Sequence, residues 1–348
     1  NDDGGFGEPG DQDIIKCGAT GTYTAGTPLA VNLGFEPQWI LVKQSDAADG
    51  WYITDVMREM ATDKGSYLLA NSTSAENNTD NYGVAAPTPT GFILDPGSSS
   101  LLAGGEFIYM AIRRGGNKTP TAASDVFAVD TMANQTPAFD STFPVDMVIR
   151  RNVGGVNTNT VWARITGQSY LNTNADAAAA NDVEAFDSNV GFGDGSTYSD
   201  NHAYMWARAR GYFDVVTYTG NSTNNHEIKH NLGVVPEMVW FKSRNTTRYW
   251  HIYHSATGNN STGVLNTDAL FEDNSAGFYA NPTATSFFLL NTTENNNNTR
   301  PYIAYLFATV ANVSKVGSFT QSGATNVDCG FTGSTPALII LKRTDSTG

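Results

Sequence analysis

The sequence predicts an all-β fold: a tandem row of antiparallel β-sandwich repeats of about one hundred residues each. Three observations predict it. Apolar runs are short and separated by Gly, Asn, Thr and Ser, with 34 glycines in 348 residues, the composition of many strands joined by turns. Hydrophobic residues hold at 40% and aromatic residues at 11% while charged residues fall to 16%, which supplies cores and argues against disorder. One pattern then returns four times along the chain.

That pattern is a proline, a strand-like apolar run and a basic residue six places on. It occurs at Pro37–Lys43 (PQWILVK), Pro144–Arg150 (PVDMVIR), Pro236–Lys242 (PEMVWFK) and Pro336–Lys342 (PALIILK), with the prolines 107, 92 and 100 residues apart. A proline suits the head of a strand, where its missing N–H costs no ladder bond. Runs such as Trp39 to Val42 and Met238 to Phe241 are continuously apolar, which predicts central strands covered on both faces.

The flanks repeat with it. Thr22-Tyr23-Thr24, Thr217-Tyr218-Thr219 and Ser318-Phe319-Thr320 lead in, followed by NLGF (32–35), NLGV (231–234) and DCGF (328–331). After the basic residue come Trp51, Trp162 and Trp250, then Tyr67–Asn71, Tyr170–Asn172 and Val264–Asn266, then Gly91-Phe92, Gly191-Phe192 and Ser286-Phe287. Aromatic-rich strands at Phe107–Ile112, Tyr204–Ala207 and Tyr302–Phe307 close each copy. The organisation expected is an acidic, Gly-rich linker at 1–17, sandwiches at 18–120, 121–212 (degenerate) and 213–314, and the opening of a fourth at 315–348. The passage from Ala209 to Val216 has no Pro or Ser spacer, so neighbouring sandwiches are expected to be packed rather than tethered.

Charge narrows the partners. Twenty basic against 34 acidic residues give a net charge of −14, so a nucleic-acid surface would need a basic patch the sequence does not offer. No membrane insertion is expected, because the longest apolar runs, such as Ala337 to Leu341, are strand-sized. The only local basic concentration is Arg113, Arg114, Arg208 and Arg210, for which ion pairing between sandwiches or subunits is the expected role. Cys17 and Cys329 predict no disulfide framework. Cys329 takes the slot of Leu33 and Leu232, so a buried apolar position is expected for it.

Few residues could carry chemistry. His226-Glu227-Ile228-Lys229-His230 spells the zinc-protease motif H-E-x-x-H, but it aligns with Thr27–Val31, a stretch no helix interior contains, and a strand would point Glu227 away from both histidines. His251 and His254 join His226 and His230 as metal candidates if the strand after Trp250 lies beside the His226–His230 strand. Otherwise no metal and no cofactor is expected, and calcium has no specific motif. Glu184 with Asp187 and Glu272 with Asp273 are the carboxylate pairs a glycan hydrolase could use, and solvated loop charge is the competing expectation. No nucleophile elbow, phosphate loop or Ser-His-acid set can be assembled, so no catalytic residue is assigned.

The combination of GTYT or VTYTGN, NLG(F/V), a Pro-led apolar strand ending in Lys, W(Y/H)I, LNT, YIAYLFA and SKVGSF resembles a repeat of virion proteins of marine bacteriophages, including phages of cyanobacteria. The resemblance spans most of residues 18–348 and is strongest at 213–348. It implies jelly-roll sandwiches of the concanavalin-A or laminin-G type and a virion, extracellular setting in a tail fibre, tail appendage or capsid decoration. The function expected is therefore a non-enzymatic structural protein, with other virion proteins and further copies of itself as partners and host surface glycans as a contact. The alternative is a receptor-recognition protein that binds or depolymerises polysaccharide.

Overall fold

A computed structural model describes residues 14–62, 65–77, 83–97, 101–115, 118–133, 135–155, 158–182, 186–193, 200–273 and 277–345. The expected linker therefore lies outside the described residues for 1–13, and Ile15 to Cys17 of that range are already in a strand. Among the described residues all regular structure is β apart from three single-turn 3-10 segments, and none of their helices is long and apolar enough to cross a membrane.

Strands β1 (Ile15–Ala19), β2 (Leu29–Asn32), β3 (Pro37–Gln44), β4 (Trp51–Asp55), β5 (Leu68–Leu69), β6 (Ala85–Thr88), β7 (Gly91–Leu94) and β8 (Phe107–Arg113) make the first sandwich. One sheet runs β1-β8-β3-β4-β5 and the other β2-β7-β6. Their inner faces meet in a core that includes Ile40, Val42, Phe92, Leu94, Phe107 and Ala111. Tyr23 sits in this core and its hydroxyl donates to buried Asp95. Burial and that hydrogen bond push the Tyr23 hydroxyl up to about 12.

The second set is β9 (Phe127–Thr131), β10 (Phe139–Asp140), β11 (Met147–Asn152), β12 (Thr160–Ala163), β13 (Ser169–Asn172), β14 (Ala180–Asn181), β15 (Gly191–Phe192) and β16 (Asn201–Trp206). Its large sheet runs β9-β16-β11-β12-β13-β14 and its small one β10-β15. Trp162 and Phe192, with ring centres 5.6 Å apart, join the two.

The third set is β17 (Phe213–Thr219), β18 (His226–Lys229), β19 (Met238–Ser243), β20 (His251–His254), β21 (Ser261–Val264), β22 (Glu272–Asp273), β23 (Phe278–Ala280), β24 (Ser286–Leu289) and β25 (Pro301–Phe307). The large sheet runs β17-β25-β19-β20-β21-β22, the small one β18-β24-β23, and Val239, Phe241, Leu306, Ile228, Phe278 and Phe287 fill the space between them. The same order, first strand, last strand, third, fourth, fifth, thus recurs three times. Each large sheet places the Pro-led strand between the closing strand and the strand at the repeated Trp.

By compactness the described residues fall into two units. One takes those of Asn1–Gly116, Ala163–Ser169 and Val183–Ser188; the other takes those of Asn117–Trp162, Tyr170–Asp182 and Asn189–Gly348. In the first unit, Thr62 donates through both its N–H and its hydroxyl to Ile165 O at 2.9 Å, and Arg164 donates to Val56 O and Phe186 O. In the second unit the second and third sandwiches pack on each other.

Two expectations need correction, that of Pro-led strands alike covered on both faces and that of a buried Cys329. The Pro-led strands are not alike in burial: β19 is buried on both faces, whereas β3 alternates buried and half-buried positions. The second face of β19 carries Trp240 and Lys242, both buried, and Lys242 is bonded there to the second sandwich. At the C-terminal side, residues 315–345 contain no strand, and Ile339, Ile340 and Leu341 are 62%, 50% and 72% exposed. Cys329 is half-exposed rather than buried, with no strand across residues 315–345 to pack over it. Both cysteines are free.

Candidate functional site

The repeated residues acquire roles once their hydrogen bonds are followed. In the NLG turns, Gly34, Gly233 and Gly330 adopt φ of +83°, +76° and +71°, where a side chain is strained. The Asn32 and Asp328 carboxamide and carboxylate oxygens accept from the N–H of Gly34 and Gly330 at 2.9 and 2.7 Å, closing Asx turns. The Asn that follows the leucine of Tyr67–Asn71 and Val264–Asn266 closes a longer loop. Asn71 Oδ1 accepts from Trp51 N–H at 2.9 Å and Asn266 Oδ1 from Trp250 N–H at 3.0 Å. Each ties one end of a hairpin and so helps to fix its register.

The repeated basic residue is a carbonyl binder. Lys43 Nζ donates to Gln44 O at 2.7 Å and Ala47 O at 3.2 Å. Lys242 donates to Ser243 O at 2.9 Å and also reaches Asp176 O of the second sandwich at 3.2 Å. Arg150 instead lies over the Trp162 ring at 4.6 Å, a cation–π arrangement. Lys342 donates to Thr267 O at 2.8 Å.

Around Lys242 these bonds form a joint between the second and third sandwiches. Ala179 N–H donates to Arg244 O at 2.7 Å, Arg248 N–H to Asp176 O at 2.9 Å, and Trp250 Nε1–H to Asn172 O at 2.8 Å. Trp240, Trp250, Tyr305 and Phe307 are ringed together on the same sheet face, and Trp250 is fully buried while its counterpart Trp51 is 38% exposed. Burial lowers Lys242 to about 8, with Asp176 opposing the shift, and lowers Arg244 to about 10. A buried ammonium met by backbone carbonyl dipoles is a fastening. The partners of Lys242 are two carbonyl oxygens, of Ser243 and Asp176, which hold its ammonium in place.

A buried ion pair completes the joint. Arg208 Nε meets Asp214 Oδ1 at 2.5 Å, with both side chains almost fully enclosed. Asp214 also accepts from Val215 N–H at 2.9 Å and Asn231 N–H at 2.7 Å, and Asp146 accepts from Arg208 N–H at 2.7 Å. Arg114 pairs with Glu36 at 3.7 Å inside the first sandwich. Ion pairing thus describes Arg208 and Arg114, the latter within a sandwich rather than between two.

The motif His226–His230 is not a zinc-protease helix. Residues His226–Lys229 form strand β18, with Ile228 buried and Glu227 exposed. His226 Nδ1 bonds Asn296 Oδ1 at 2.8 Å, and buried His230 stacks on Phe287. The expected neighbourhood with the Trp250 strand fails, because β18 belongs to the small sheet and β20 to the large one. His251 contacts Glu294 at 3.4 Å instead. His254, half-buried, accepts from Ala256 N–H at 3.1 Å. Burial lowers both His230 and His254, which disfavours the imidazolium. Among the described residues no three His, Cys, Asp or Glu side chains converge as metal ligands.

Of the hydrolase carboxylates, Glu184 lies outside the described residues. Asp187 is exposed. Glu272 and Asp273 form the edge strand β22, opposite Thr262 and Ser261, rather than a loop. A carboxylate the sequence did not single out is Glu294, held below the ordinary range first by the His251 hydrogen bond and then, against the opposing effect of burial, by Arg248. It is an acceptor at neutral pH and not a proton donor. Elsewhere on the third sandwich, Val234, Val235, Glu237, Tyr253 and Thr309 line a shallow groove, and Glu237 there accepts from Thr309 N–H at 2.6 Å.

Asp146 and Asp214 are legible in principle, because an acid inside an apolar run, as in Val145-Asp146-Met147 and Phe213-Asp214-Val215, must find a partner once buried. A family model described as Domain of unknown function (DUF7483) matches residues 18–114 and 157–348. No curated protein and no solved structure matches the chain.

Proposed function

We propose that this chain, which belongs to the DUF7483 family, is a non-enzymatic structural protein of a phage particle, built of sandwich repeats of about one hundred residues as part of a tail fibre, tail appendage or capsid decoration. The observation that carries the reading is the use to which its charges are put. Lys242, Arg208 and Asp214 are buried and bonded to backbone or to each other at the meeting of two sandwiches, where they fasten one module to the next, and Arg244 is buried beside them. An enzyme places its perturbed groups around a cleft with convergent polar atoms; here Lys242 and Arg244, the two lowered by burial, are enclosed. Other virion proteins and further copies of the chain are the partners this role requires. Host-surface glycans are the contact proposed for the loops, where Tyr249 and Tyr279 are 49% and 51% exposed and could serve as stacking platforms.

Mass spectrometry of gradient-purified particles tests the reading. The chain should co-purify in fixed stoichiometry with the other particle proteins. Its recovery only from the soluble lysate, or release of reducing ends from host polysaccharide by the purified chain, would replace the structural role with the depolymerase.

A further inference from the structure

Near the end of each closing strand, Ile112, Trp206 and Phe307 oppose Trp39, Met147 and Met238 of the Pro-led strands. The residue two places beyond is Arg114, Arg208 and Thr309, so these three positions are equivalent by strand register. In the first two sandwiches the position carries a guanidinium that meets a carboxylate: Arg114 lies 3.7 Å from Glu36 and Arg208 2.5 Å from Asp214. In the third it carries only a hydroxyl.

The third sandwich keeps the acid. Asp146 N–H donates to Trp206 O at 2.8 Å and Glu237 N–H to Phe307 O at 3.0 Å, which puts both acids at one sheet position. Asp146 Oδ2 accepts from Arg208 N–H at 2.7 Å, and Glu237 Oε2 accepts from Thr309 N–H at 2.6 Å. Among the described residues no Lys or Arg pairs with Glu237. Lys315, which stands three places before Ser318-Phe319-Thr320 as Asp214 stands before Thr217-Tyr218-Thr219, is exposed. Burial disfavours the imidazolium of nearby His254.

Beside Glu237 and Thr309 runs the groove of about 340 Å³, with Val234, Val235, Pro236 and Ala308 as its apolar lining. Val235 precedes its Pro as Glu36 does, so the groove lies along the two positions that Arg114 and Glu36 bridge in the first sandwich. Val234 and Val235 are 37% and 50% exposed. An aliphatic stem can lie on such a surface while its charged head reaches a carboxylate.

We propose that this groove binds an arginine side chain presented by a separate protein, its stem on Val234, Val235 and Ala308 and its guanidinium on Glu237. Thr309 N–H engages Oε2 of Glu237, and Oε1 is the acceptor for the guanidinium. Arginine is favoured over lysine because both internal precedents are guanidinium–carboxylate pairs and a guanidinium is the more weakly hydrated cation. A basic partner is favoured over a second copy because chains of net charge −14 repel one another. The site goes beyond the structural role above and stands or falls separately from it.

The test is titration of the isotope-labelled full chain with an end-capped Gly-Arg-Gly peptide, followed by amide chemical shifts. Saturable shifts at Val234, Val235, Ser255 and Thr309 are expected, with a dissociation constant of about 1–10 mM. Glu237→Gln, which keeps an acceptor for Thr309 N–H, should weaken binding by about tenfold or more, and the neutral citrulline peptide should leave these amides unmoved. Thr309→Arg, which restores the arginine of the other sandwiches, should exclude the peptide. Unchanged circular dichroism would show that both variants fold. Equal binding of the citrulline or a lysine peptide, equal affinity in Glu237→Gln, undiminished binding to Thr309→Arg, or no saturation by about 50 mM peptide would overturn the proposal. Self-association of the chain that Glu237→Gln abolishes would give the groove to a second copy and overturn it as well.

Discussion

Replacing Asp214 by alanine should destabilise the second unit by about 3–5 kcal/mol, the usual consequence of stranding one member of a buried pair. Asp214 meets Arg208 Nε and two backbone N–H groups, of Val215 and Asn231. Arg208 is 7% exposed, so the guanidinium cannot turn to water without opening the joint, and the two N–H groups lose their acceptor. The check is the urea midpoint of the full chain against that of Asp214→Ala. A double variant, Arg208→Met with Asp214→Leu, removes both charges together and should recover much of the loss. A single-variant loss below about 1 kcal/mol would mean that the pair is solvated, as surface pairs are.

The second large effect is expected at Trp250. Alanine there should cost about 3–5 kcal/mol, since a large buried ring leaves a cavity that the surroundings fill only in part. Trp250 also donates to Asn172 O in the neighbouring sandwich, so Trp250→Phe should lose less than alanine but more than nothing. The same change to alanine at Trp51, its counterpart by motif and by hairpin position opposite the motif lysine, should stay within about 0.5 kcal/mol, because Trp51 is among the exposed aromatic residues. Thermal unfolding of the three variants separates them. Similar losses at Trp51 and Trp250 would show that the hairpin and not the joint demands the ring.

That contrast marks what the sequence could express. The all-β class and the antiparallel sandwiches follow from strand-length apolar runs punctuated by Gly, Asn and Pro, and the recurring motifs return as recurring strand order. The NLG turns and the Asn that closes each hairpin act through bonds a few residues away or across one turn, so their spacing carries them. The burial of Trp250 and Lys242 does not, since it is decided by Asn172 and Asp176 of the preceding sandwich. Trp51 and Lys43 present the same letters without those bonds. The H-E-x-x-H string misleads for the converse reason. Its spacing is that of a helix turn, but the β-sheet partner of Ile228 is Phe287, and pairing at long range decides the backbone. Ile339 to Leu341 show the same dependence: an apolar run of strand length is exposed where no strand pairs with it among the described residues.

The joint makes one unit of the second and third sandwiches, and amide hydrogen exchange of the full chain tests it most directly. Ala179 and Arg248, loop residues in sequence, donate across the joint to Arg244 O and Asp176 O. They should exchange as slowly as the amides of β19 and β25, within the same cooperative opening. Lys242→Met should speed both together while leaving β3 of the first unit unchanged. If Ala179 and Arg248 exchange at the rate of free loops while β19 stays protected, the two sandwiches open independently and the joint is not what its bonds imply.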